Sequence, residues 1–135
     1  MPVAKWSNLY LGQLIFINKK VRVLVEKILS RSDNPPIIVL QADHGWELTR
    51  DDDNVTNEAM IEKMKIFNAY HLPGNGKSLL YDSITPVNTF RLIFKYYFGA
   101  KLDLLKDYSY YSNLDAPYKF KDVTNMLMQD FSDKN

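Results

Sequence analysis

Apolar residues recur at helical spacing along the first part of the chain: Leu11, Leu14, Ile17, Val21, Leu24, Val25 and Ile28. This period predicts an amphipathic helix that starts from a cap at Ser7 or Asn8, after a loose lead-in, and runs to about Ser30. Lys19, Lys20, Arg22, Glu26 and Lys27 fall largely on the opposite face, which reads as solvated. Ser32-Asp33-Asn34-Pro35-Pro36 is a turn cluster that ends the helix and aims the chain into an extended segment. The apolar run 37–40, Ile-Ile-Val-Leu, is rich in β-branched residues and too short for a helix, so it predicts a buried strand. A strand with no polar alternation is covered on both faces, which implies a parallel sheet between layers.

The later pattern alternates in the same way. Residues 57–65 predict a short helix and residues 66–72 a second strand. Thr85 then caps a second strong helix with Pro86 at its first position, and Gly99 ends it. Val87, Phe90, Ile93, Phe94 and Tyr97 form its expected apolar stripe. An apolar connector at 102–105, an aromatic turn-rich stretch at 107–118, a small strand at 118–120 and a terminal helix at 123–131 complete the chain. The expected fold class is α/β, a partial three-layer αβα sandwich on a mostly parallel sheet.

The chemistry concentrates where the first strand ends, at Asp43-His44-Gly45. Ligands of open α/β sheets bind just past the carboxyl ends of the strands. A carboxylate and a neutral imidazole are both good ligands for zinc, and for manganese or iron. Neighbours on a strand point to opposite faces, so the pair reaches one ion only where the backbone stops being extended. Gly45 is expected to supply that sharp turn. The competing reading is that Asp43 caps a turn and His44 lies on the rim.

Other motifs carry less. Asp51, Asp52 and Asp53 lack the spacing and glycine of a calcium loop and read as a solvated loop. Gly74-Asn75-Gly76-Lys77-Ser78 resembles the tail of a phosphate-binding loop, but the earlier glycine is replaced by His71 and no helix follows directly, so a glycine-rich turn is expected. Tyr108, Tyr110, Tyr111 and Tyr118 could stack on a sugar, yet tyrosines covering a core edge are commoner.

Composition bounds these readings. At 135 residues the chain fits one domain, and 46% hydrophobic with 13% aromatic content argues against disorder. A net charge of +1 points neither to nucleic acid nor to an acidic membrane surface. With Cys 0, the chain has no disulfides and no thiolate metal ligands of its own. No apolar run approaches membrane-spanning length, and no signal-peptide pattern is evident at the amino terminus.

The segment Ile-Ile-Val-Leu-Gln-Ala-Asp-His-Gly at 37–45 resembles the second metal-ligand segment of the alkaline phosphatase superfamily, and within it the sulfatase-like hydrolases. Phe-Asn-Ala-Tyr-His-Leu-Pro-Gly at 67–74 and Tyr-Asp-Ser-Ile-Thr-Pro-Val-Asn-Thr-Phe-Arg at 81–91 are similar to later segments of the same group, in the same order. The similarity spans roughly residues 10–123. It implies a divalent ion (zinc, manganese or calcium) with Asp43 and His44 as ligands. His71 is a possible further ligand, because the superfamily uses a distal His, although sulfatase-like relatives carry an aromatic there.

The family's first metal-binding Asp and its nucleophile lie in an amino-terminal part that nothing here matches. The chain therefore resembles the carboxy-terminal third of a sulfatase-like catalytic domain. The expected activity in full-length form is metal-dependent hydrolysis or transfer of phosphate or sulfate esters, with little or none in this chain alone. Self-association or an amino-terminal partner fragment is expected. Full-length relatives are often membrane-tethered, which leaves the compartment open. The alternative is a non-catalytic α/β binding or assembly module.

Overall fold

The computed structural model of the chain describes residues 3–46, 55–113 and 115–132. It divides into two compact units, one ending at Ile38 and one beginning at Val39. The first unit is dominated by α1 (Val3–Arg31), which begins earlier than the expected cap at Ser7 or Asn8. Its exposed face carries an Arg22–Glu26 pair at 2.9 Å, one helical turn apart. Ser32 closes it: both its N–H (3.1 Å) and its hydroxyl (2.7 Å) donate to Ile28 O, an otherwise orphaned last-turn carbonyl. On its apolar stripe Leu11, Leu14, Ile17 and Leu24 are exposed, while Val21, Val25 and Ile28 are half-buried.

The strand β1 (Ile38–Gln41) forms where the apolar run predicts it and pairs with β2 (Asn68–His71). The sheet is antiparallel and two-stranded, so among the described residues the expected parallel sheet and three-layer sandwich are not present. The Ala42 N–H donates to Phe67 O at 2.9 Å, and the Gln41 amide donates to Asn68 Oδ1 at 3.0 Å, so the end of β1 meets the start of β2. An unbroken apolar run reports a preference for cover and says nothing about the direction of the partner strand. With one partner instead of two, β1 stays half-buried.

Between these strands lies α2 (Asn57–Met64), capped by Thr56, whose hydroxyl accepts the Ala59 N–H. After β2, a short 3-10 helix (Gly76–Leu79) replaces the phosphate-loop-like motif. Gly76 is required for a packing reason: a Cβ there would lie 2.9 Å from Leu72 Cβ and collide with the Tyr97 hydroxyl, which itself donates to Pro73 O at 2.6 Å. The helix α3 (Pro86–Phe98) has Pro86 at its first position and Gly99 in the left-handed region at φ 67°, as the sequence predicts. A second antiparallel pair, β3 (Tyr110–Tyr111) with β4 (Lys121–Asp122), precedes α4 (Thr124–Ser132). No helix among the described residues is long and apolar enough to cross a membrane.

The apolar core of the second unit is small. Met60, Ile93 and Val123 are 4%, 6% and 2% exposed, and the buried polar residues are Asn88, Thr89 and Thr124. The inward face of α3 is thus Asn88, Thr89 and Ile93, while Val87, Phe90 and Phe94 of the expected stripe face outward with Phe98. Hydrogen bonding sets this orientation. Asn88, 0% exposed, uses its side-chain amide to bond both backbone groups of Leu105.

Candidate functional site

Strand β1 ends at Gln41, and Asp43 and His44 follow in a bend. Leaving the extended conformation lets adjacent side chains converge: His44 Nε2 and Asp43 Oδ2 are 3.9 Å apart. Asp43 Oδ1 accepts the His44 N–H at 3.0 Å, which holds the carboxylate beside the ring. The imidazole Nδ1 meets Gly45 O at 2.8 Å. A carbonyl only accepts, so Nδ1 is the donor in this contact, and in a neutral ring Nε2 then keeps its lone pair. Both side chains are open to solvent, His44 54% and Asp43 92% exposed.

Zinc–oxygen and zinc–nitrogen bonds are about 2.0–2.2 Å, so two ligand atoms at this separation straddle one ion after a small closing movement. The pair therefore fits half of a metal site. Among the described residues no group of three or more His, Asp or Glu is arranged to hold an ion. His71 ends β2, four residues beyond Phe67, and Phe67 lies against Ala42. At about 3.3 Å per strand residue His71 stands about 13 Å further along the strand pair, away from Asp43 and His44. Asp51, Asp52 and Asp53 lie outside the described residues.

Asp43 and His44 line a cleft of about 770 Å³. Lys63, Lys65, Asp107, Tyr111 and Asp130 line it as well. The Lys65 ammonium is held at 2.8 Å from Asp130 and 3.2 Å from Glu62, which ties α2 to α4. The Lys63 ammonium lies 5.7 Å from the centre of the Tyr111 ring. The Tyr111 hydroxyl is buried and has no hydrogen-bond partner among the described residues.

Asp107 is the residue that sequence reasoning missed. Its Oδ1 accepts the Thr85 N–H at 2.8 Å, the Thr85 hydroxyl at 2.6 Å and the Asn88 amide at 2.9 Å, and its Oδ2 accepts the Tyr81 hydroxyl at 2.5 Å. Burial pushes its carboxyl up, but the donors from Thr85, Tyr81 and Asn88 outweigh this and hold it below the usual carboxylate range. The same contact, after burial itself, raises the Tyr81 hydroxyl. Thr85 next to Asp107 has the outline of a nucleophile and its base. A carboxylate this well supplied with donors is a weak base, so the pair reads as a brace that replaces the side-chain cap Thr85 would otherwise make on α3. The only available sequence signal was an acid in a turn-rich stretch.

Of the four tyrosines only Tyr111 is half-buried, with its hydroxyl shielded; the others do not cover a core edge. Tyr108, Tyr110 and Phe120 are exposed, with ring centres 6.1 Å apart for Tyr108–Tyr110 and 6.3 Å for Tyr110–Phe120, and Tyr118 is more exposed still. Ser83 and Thr85 line the cleft; Ser78 instead donates to Asn75 O at 2.7 Å within the 3-10 turn. Comparison of the chain with known protein families, curated proteins and solved structures finds no match.

Proposed function

We propose that the chain contributes part of the catalytic centre of a sulfatase-like hydrolase or transferase that acts on phosphate or sulfate esters with a divalent ion (zinc, manganese or calcium). The observation that carries this reading is the convergence of His44 Nε2 and Asp43 Oδ2, 3.9 Å apart on the wall of a cleft. The order of the segments at 37–45, 67–74 and 81–91 supports it. Lys63 and Lys65 on the same wall suit an anionic substrate, although Lys65 is shared with Asp130 and Glu62. When bound, the ion would neutralise charge on the transferring group and lower the pKa of a nucleophile. Asp43 and His44 would bind and orient it. Two protein ligands are fewer than the three usual for catalytic zinc. The remaining ligand and the nucleophile would come from an amino-terminal portion held by another part of the protein or by a partner.

The test measures binding and turnover together. Calorimetry with zinc and manganese should give weak binding that falls further in His44→Ala. Equal affinity in both proteins removes His44 from the site. Aryl sulfate and aryl phosphate esters should show no turnover above a metal-only control until an amino-terminal portion is added. Robust turnover by the chain alone, lost in Asp43→Ala, would overturn the shared-site reading.

The second reading, a non-catalytic binding or assembly module, is favoured by one observation. Val87, Phe90, Phe94 and Phe98 expose a continuous apolar stripe on α3, spaced three and four residues apart. Stoichiometric assembly through this stripe, with no metal bound, would select it.

A further inference from the structure

We propose that Gly45 is a positioning residue: seated on the carboxyl end of α2, it aims the His44 imidazole and leaves Nε2 as the ligating atom. The inference rests on the metal-ligand reading of Asp43 and His44 given above.

The usual reason for a glycine after such a pair, access to positive φ, does not apply. Among the described glycines only Gly74 and Gly99 adopt positive φ. The constraint on Gly45 is space. A Cβ built on it would collide with the backbone oxygen of Glu62 and lie 2.5 Å from that of Lys65. Neither oxygen can swing aside as a flexible side chain would, because both belong to the last turn of α2 and the residue that caps it. Any larger residue has to lift the loop off the helix.

The loop is also bonded where it sits. The Gly45 N–H donates to Lys63 O at 2.7 Å, satisfying one of the orphaned carbonyls at the helix end. The Gly45 carbonyl then accepts from His44 Nδ1 at 2.8 Å. A chain of contacts thus runs from the α2 backbone through Gly45 to the imidazole. It fixes both the ring orientation and the tautomer, as carbonyl or carboxylate partners of metal-bound histidines do. Asp43 completes the arrangement by accepting the His44 N–H at 3.0 Å, with its other oxygen turned toward Nε2. Carbonyls gathered at a helix carboxyl end carry partial negative charge, which favours a cation nearby.

The experiment uses the full chain labelled with ¹⁵N-histidine. The protein contains His 2 in total, so a His71→Gln variant assigns both rings. Long-range ¹⁵N–¹H spectra without metal, at about pH 8.5 where an imidazole is neutral, should show His44 with its proton on Nδ1. Gly45→Ala should convert this to a mixture of tautomers and weaken manganese binding by about tenfold. Gly12→Ala, with nothing within 4 Å of the added carbon, should leave both readouts unchanged. A His44 proton on Nε2 in the wild type overturns the proposal even if Gly45→Ala fails to fold. So does a folded Gly45→Ala that keeps both tautomer and affinity. Absence of manganese binding in the wild type, with the tautomer still dependent on Gly45, sinks the metal reading and supports the positioning role.

Discussion

Asn88 holds Leu105 by both of its backbone groups: its amide nitrogen donates to Leu105 O at 2.7 Å, and its amide oxygen accepts the Leu105 N–H at 2.9 Å. The side chain acts as one residue of a strand would, pinning the connector after α3 against the helix. The same nitrogen reaches Asp107 at 2.9 Å, so one buried amide ties together the connector and the brace at Thr85. Asn88→Ala leaves several shielded polar groups without partners, and a loss of about 2–4 kcal/mol of stability is expected. Denaturant midpoints with an unchanged slope would measure it, and a loss below about 0.5 kcal/mol would show that the connector does not depend on this amide.

Asp107 should dominate the acid sensitivity of the second unit. Its folded pKa is depressed. Its contribution is therefore fully present above the unfolded value, about 3.9, and is lost as pH falls through the folded value. Asp107→Asn is expected to lower stability at neutral pH and to flatten the acid limb of a stability–pH profile. Parallel acid limbs in wild type and variant would contradict this assignment.

Tyr111 offers the opposite kind of change. Its hydroxyl is buried without a partner among the described residues, which costs desolvation and returns nothing. Tyr111→Phe keeps the ring beneath the Lys63 ammonium. Thermal unfolding should show equal or higher stability, with a gain of up to about 1 kcal/mol. A clear loss would mean that the hydroxyl has a partner in solution.

The outward stripe of α3 should drive association. The rings of Phe94 and Phe98 lie 5.8 Å apart, and both are exposed. Self-association or binding of a hydrophobic dye is expected for the wild type, and Phe94→Ser with Phe98→Ser should reduce both. A wild-type chain that sediments as a monomer at high concentration and binds no dye would count against this.

Local signals were enough for much of the chain. The proline that starts α3, the glycine that ends it, the helix at 57–64 and the strand ending before Asp43 are all written in nearest-neighbour chemistry. That Asp43 and His44 come together past the strand was readable for the same reason, since they are adjacent and the strand before them ends on cue. Tertiary contacts decided the rest. The direction of β2 depends on where Phe67 meets Ala42, which no apolar run encodes. The inward face of α3 follows Asn88 and Thr89 instead of its phenylalanines, because a buried amide that satisfies a distant backbone outweighs the helical pattern of hydrophobicity. Asp107 gained its meaning only when Tyr81, Thr85 and Asn88 were brought around it. Gly45, read from sequence as a turn, turned out to be a spacer, because the oxygens it must clear belong to residues 62 and 65. Sequence carries what a residue can do with its neighbours, and packing decides which distant groups become neighbours.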